Sequence, residues 1–178
     1  MDALDLLEQQ HREVNELFAL VAEAESAGRR TALAAQLVRA VEAHSRVEEA
    51  VFYATFVARV GGDEGRLWEG FEHHVLLRFA AQSLVRTRAT DVRFPARLKQ
   101  AAQLFTRHTR AEEDWMFPKA KRVLSDESLD RIGGEIERAH AARLSVAKGA
   151  PERVPARRRI LERESRRRMI EAEPLPAG

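Results

Sequence analysis

This 178-residue sequence predicts an all-α fold: an up-down-up-down four-helix bundle with an additional C-terminal helical segment. Three observations predict it. The first proline is Pro95, so the chain before it, rich in Ala, Leu, Arg and Glu, runs without a helix breaker. Apolar residues recur at the three-and-four spacing of amphipathic helices. Val, Thr and aromatic residues never gather into alternating runs bounded by turn residues, which excludes a β-sandwich or barrel.

The first helix is expected from about Asp2 to Ser26, with Leu6, Leu7, Val14, Leu17, Phe18 and Val21 on its apolar side and a stop near Gly28. The second, from about Thr31 to Val60, carries Leu33, Leu37, Val41, Val51, Phe52 and Phe56 and ends at Gly61-Gly62. The third, Glu64 to Arg88, carries Leu67, Trp68, Phe71, Leu76, Phe79 and Leu84. Pro95 suits the first turn of a fourth helix reaching Leu124, kinked at Pro118. Short connections make neighbours antiparallel, hence the bundle over residues 1–124. Ser125-Asp126-Glu127 reads as an N-cap with an acidic first turn, opening a shorter accessory helix over 125–148 that is broken at Gly133-Gly134. Residues 149–178 read as a basic linker and tail helix.

Composition narrows the chemistry. The chain has no cysteine, which excludes disulfides, thiolate zinc sites, iron–sulfur clusters and cysteine nucleophiles. Any metal must then be held by histidine and carboxylate. The net charge of +2 is uneven. From Glu152 onward eight arginines face five glutamates, a surplus of three that leaves the remainder one unit negative. The tail arginines are interleaved with glutamates and lack aromatics, so a solvated helix is expected there rather than a nucleic-acid arm. No apolar run approaches the ~20 residues of a membrane span, and the acidic N-terminus lacks a signal-peptide layout, so a cytoplasmic protein is expected.

The informative feature is a duplication. His44-Ser45-Arg46-Val47-Glu48-Glu49 recurs as His108-Thr109-Arg110-Ala111-Glu112-Glu113. Upstream, the segment around His11 aligns with the segment around His73 and His74. Residues four apart share a helix face, so His44/Glu48 and His108/Glu112 each present an imidazole and a carboxylate together. Two such pairs, with one histidine from each remaining helix, converge in the core of a bundle. Six ligands of this kind suit two metal ions, the glutamates bridging and the histidines terminating. An all-nitrogen-and-oxygen set with open positions favours iron, with manganese or zinc as alternatives.

With the phrases Asp5-Leu6-Leu7-Glu8-Gln9-Gln10-His11-Arg12-Glu13-Val14 and His108-Thr109-Arg110-Ala111-Glu112-Glu113-Asp114-Trp115-Met116-Phe117-Pro118, residues from about 3 to 124 resemble the hemerythrin-like, or HHE cation-binding, family. The resemblance implies two iron ions, bridged by carboxylate and by oxo or hydroxo groups. His11 and His44 would terminate one iron, and one of His73 and His74, with His108, the other, while Glu48 and Glu112 bridge. The repeat alignment favours His73, because Leu76 then takes the place that Val14 has after His11; His74 is the alternative. Oxygen-carrying members have a fifth histidine four residues before this ligand. Glu69 stands there instead, as a further candidate ligand, which counts against simple reversible oxygen carriage. Glu49 and Glu113 are expected to face solvent or a neighbouring helix, Tyr53 and Met116 to pack, Trp68, Phe71, Phe79 and Trp115 to line the core or pocket, and His140 to be exposed. The resemblance permits a centre that binds or reacts with O2, H2O2 or NO, with catalase-like peroxide decomposition favoured over a sensor of oxygen, iron, redox state or NO without turnover. A homodimer is a further expected possibility; neither membrane nor nucleic acid is an expected partner.

Overall fold

A computed structural model describes residues 1–57, 59 and 64–146. Helix α1 spans Ala3–Glu23 and is capped by Asp2, whose carboxylate accepts from the amides of Leu4 and Asp5. Helix α2 spans Ala27–Val47, capped by the Ser26 hydroxyl. Gly28 therefore lies inside α2; the break comes earlier, where Ala24 turns extended and Ser26 offers a better cap. The helix runs on through a π-helical turn, Glu48–Tyr53, into α3, Ala54–Val57. Helix α4 spans Glu64–Val85 and α5 Phe94–Ala111, the latter with Pro95 in its first turn. A second π-helical turn, Glu112–Met116, leads into α6, Phe117–Val123, which opens on Pro118. Helix α7 spans Asp126–Val146. Among the described residues there are no strands. The expected tail helix lies outside the described residues.

Four long rods close into a ring: α1 packs on α2, α2 on α4, α4 on α5, and α5 returns to α1. Helix α7 covers the α1–α2 side, and residues 1–146 form one unit. The segment after residue 124 thus shares the bundle's core, since Leu129, Ile132 and Ile136 cluster with Leu4, Leu7, Phe52 and Phe117. Contrary to the expected break at Gly133-Gly134, α7 is continuous. Gly133 is needed for close approach instead: a Cβ there would stand 2.6 Å from the Met1 carbonyl oxygen. A second apolar cluster, including Val14, Phe18, Leu37, Val41, Leu77, Leu84 and Phe105, fills the other half of the bundle. Between the two clusters lies a polar layer.

Candidate metal centre

That layer forms because each of its residues continues an inward stripe. On α1 the stripe is Leu4, Leu7, His11, Val14, Phe18 and Val21. On α4 it is Leu67, Gly70, His74, Leu77, Ala81 and Leu84, all buried. The two rows have the same three-and-four spacing, and Leu4 corresponds to Leu67 as His11 does to His74. On α2 the stripe runs Leu37, Val41, His44 to Glu48, and on α5 it runs Ala101, Phe105, His108 to Glu112.

All four rings turn Nε2 inward. The Glu48 carboxylate is the hub, 3.1 Å from His74 Nε2, 3.3 Å from His44 Nε2, 3.5 Å from His108 Nε2 and 3.8 Å from His11 Nε2. Glu112 Oε2 lies 3.2 Å from His11 Nε2 and 3.3 Å from His108 Nε2. One ligand atom from each of His11, His44, Glu48, His108 and Glu112 falls within 4.8 Å of the others. His74 stands beside them, its Nε2 3.3 Å from that of His108. These six side chains are at most 2% exposed.

His74, rather than His73, therefore enters the layer, which corrects the alignment drawn from the sequence. Leu77 is the buried counterpart of Val14, whereas Leu76 is half exposed. His73, one residue and ~100° round the helix, sits half-buried at the rim. Glu69 is exposed and outside the cluster. The position four before His74 is Gly70, where a Cβ would come 2.6 Å from the Tyr53 hydroxyl oxygen. The phenol of Tyr53 fills that space. It stacks on His74 with ring centres 5.3 Å apart and donates its O–H to Glu112 Oε1 at 2.5 Å. Packing was the role expected of Tyr53; the hydrogen bond is added to it.

The outer ring nitrogens have partners that sequence reasoning missed. His11 Nδ1 lies 2.6 Å from Glu113 Oε1 and His44 Nδ1 3.1 Å from Gln10 Oε1, while His74 Nδ1 stands at an ion-pair distance of 3.2 Å from Glu49 Oε1 without forming a hydrogen bond. Arg78 donates to Glu49 at 2.5 Å. Such carboxylates fix the tautomer of a metal-binding histidine and raise its basicity. The signal was present in the sequence, since the repeat keeps both glutamates of each pair. At an α-helical step of five residues the second glutamate turns away from its histidine. In both copies a π-helical turn begins at the first glutamate, and the two adjacent carboxylates point about 100° apart. The first then reaches the centre and the second the histidine of a neighbouring helix.

Imidazoles and carboxylates of the layer shift one another's ionisation. Burial disfavours a charged His11, yet Glu112, Glu113 and Glu48 hold its pKa well above the usual value. His74 is likewise penalised by burial but raised to about 9 by Glu48 and Glu49. Burial, reinforced by the other imidazoles, pushes His44 well down. Glu48, despite burial, is held well below the usual carboxylate range by His44, His108, His11 and His74. Even so, Nε2 of His11 and His44, Oε1 of Glu48 and Oε2 of Glu112 are buried without a hydrogen-bond partner among the described residues. Orphaned polar atoms are costly in a core. A cation bound by those same atoms satisfies them, and the nitrogen-and-carboxylate donor set fits a metal cation.

A cavity of about 240 Å³ opens beside the layer, lined among others by Arg66, Glu69, His73, His108, Glu112 and Met116. Trp115 also lines it, with the Arg66 guanidinium 5.3 Å above its ring, and Phe71 packs at the edge of the core. Trp68 and Phe79, expected inside, are 61% and 72% exposed. His140, expected outside, is half-buried.

Fold and site define a helical bundle that carries a buried histidine–glutamate cation site. Residues 2–120 match the family model of the hemerythrin HHE cation binding domain, and the chain belongs to that family. A crystal structure of a hemerythrin HHE cation binding domain-containing protein from Mycobacterium kansasii is similar, with 19% sequence identity and a TM-score of 0.71, covering 85% of this chain and 95% of that one. At that identity the likeness shows the shared fold. Comparison with curated proteins finds no match. Among the described residues no helix is long and apolar enough to cross a membrane.

Proposed function

We propose that the chain holds two iron ions between His11, His44, His74, His108, Glu48 and Glu112 and that the centre reacts with a small oxidant, hydrogen peroxide before O2 or NO. The observation that carries the reading is the 240 Å³ cavity, which puts the otherwise buried His108 and Glu112 within reach of a small molecule from outside. Bound iron supplies the redox chemistry: two peroxides give dioxygen and two waters, the electron pair released by one being taken up by the other. The protein's part is positional. Tyr53 ties down Oε1 of Glu112, which leaves Oε2 aimed at the centre. Glu49 and Glu113 orient His74 and His11 from behind. Apolar clusters on both sides exclude bulk water from the layer.

The test is metal quantification after expression with iron, followed by oxygen evolution from added peroxide. About two irons per chain and turnover lost in Glu112→Ala are expected. Less than about one metal per chain defeats the metal reading. Full iron with no oxygen release above that of free iron defeats the peroxide reading and leaves the sensor alternative.

A further inference from the structure

Three of the four layer histidines have a side-chain oxygen behind them, at the ring nitrogen turned away from the centre. Glu113 Oε1 stands 2.6 Å from His11 Nδ1, Gln10 Oε1 3.1 Å from His44 Nδ1 and Glu49 Oε1 3.2 Å from His74 Nδ1. His108 has none: it is fully buried, and its Nδ1 has no partner among the described residues. The duplication shows what is missing. Gln10 precedes His11 and closes off His44; its counterpart before His74 is His73, whose own Nδ1 is also buried and without a partner among the described residues. The repeat thus puts an imidazole where the first half has an amide acceptor, and two ring nitrogens are left over.

Both histidines line the cavity of about 240 Å³, together with Arg66, Glu69, Glu112 and Trp115. It has room for several waters or for an anion of three or four heavy atoms. A cation on Nε2 leaves the ring proton of His108 on Nδ1, where it needs an acceptor. Neither carboxylate of the lining provides one. Glu69 is exposed and does not bond to His108, and Glu112 is taken up by Tyr53 and the layer. A positive charge is at hand in exposed Arg66, whose guanidinium lies 5.3 Å above the Trp115 ring. We propose that this cavity binds a small planar oxyanion of the carboxylate type, one oxygen accepting from His108 Nδ1–H and the other from Arg66. Such an anion does for His108 what Glu113 does for His11, fixing the tautomer and raising the basicity of the inward nitrogen. Metal and anion then tighten each other's binding by the same factor. The inference rests on the metal reading but not on which oxidant reacts.

Equilibrium dialysis of radiolabelled formate against the iron-loaded full chain tests it, with iron measured in the same samples. About one formate per chain is expected with a Kd of ~1 mM, near the limit for a three-atom ligand, and binding ~10-fold weaker without metal. His73→Gln, which restores the amide of the first half, is expected to weaken formate binding ~10-fold with iron content unchanged. Arg66→Gln is expected to weaken it ~10-fold as well, through the lost charge-assisted bond. Glu69→Gln removes an opposing charge and strengthens it. In chelator competition, saturating formate should tighten iron ~10-fold in the wild type and not in His73→Gln. Iron-loaded protein that takes up no formate at ~20 mM overturns the inference and leaves the metal reading intact. Formate bound equally well by wild type, His73→Gln and Arg66→Gln, as an anion on the iron itself would be, also overturns it. Less than about one metal per chain removes both readings.

Discussion

The two halves of the repeat supply the same ligands but finish them differently. In the first half, His44 is closed off by Gln10, and Phe117 stacks on His11 with ring centres 6.0 Å apart. In the second, the place of Gln10 is taken by His73, the Nδ1 of His108 has no partner among the described residues, and Tyr53 occupies the position equivalent to Phe117. The cavity opens on this second half, against His108 and Glu112. Duplication thus supplies a symmetric donor set, and the residues behind it diverge, with a cavity on the side of His108 and Glu112.

The largest effect should come from breaking the hub. Glu48 lies within 3.8 Å of all four histidines, whereas Glu112 lies near two. Glu48→Ala is expected to remove most bound metal and Glu112→Ala about half of it, by elemental analysis of the purified variants. Equal losses would mean that the two carboxylates are equivalent despite their surroundings. Next comes the contact that distinguishes α4 from α1. Gly70→Ala forces a Cβ against the Tyr53 hydroxyl and should cost ~2 kcal/mol in urea unfolding. Adding Tyr53→Phe should recover part of that loss by removing the clashing oxygen. Tyr53→Phe alone should weaken metal affinity ~10-fold in chelator competition, because Glu112 loses its donor.

How much of this was legible in the sequence depends on the helix. For α2 and α5 the duplicated His-x-x-x-Glu stood out, and His44, Glu48, His108 and Glu112 are where the pattern put them. For α4 the register was obscured. Its inward stripe is interrupted by Gly70, and its outward face carries Trp68, Leu76 and Phe79, so apolar periodicity pointed as well to one side as to the other. That ambiguity led to the alignment on Leu76 and hence to His73 and Glu69. Tyr53 and the partners of the second glutamates were hidden for other reasons. Tyr53 comes five residues after Glu48 across a π-helical turn, which an α-helical wheel does not anticipate. Glu49 and Glu113 face a neighbouring helix as expected, and only the histidine each meets there was hidden. Gly133-Gly134 weakens a helix by propensity alone, but at Gly133 the missing Cβ is what admits the close approach of the N-terminus, which no local pattern signals.

The smallest expected effect concerns the carboxylates behind the histidines, and it carries a pH signature. Glu49 is held by His74 and Arg78 and is 21% exposed, whereas Glu113 is held by His11 and is 40% exposed. Burial works against ionisation of Glu49, but His74 and Arg78 outweigh it and lower its pKa from 4.5. A depressed carboxylate stabilises the fold above its unfolded pKa and loses that contribution as pH falls through the folded value. His74 is shifted the other way, to about 9, so its contribution is complete below 6.5 and fades as pH rises through 9. In the metal-free protein the Glu49–His74 pair therefore stabilises most between pH 4.5 and 6.5. Urea midpoints of metal-free Glu49→Gln should fall furthest below wild type in that window, and the gap should narrow towards pH 9 and again in acid. Glu113→Gln, acting on a more solvated pair, should show a smaller gap. A larger gap for Glu113 than for Glu49 would reverse the assignment of the tighter support to the α4 half.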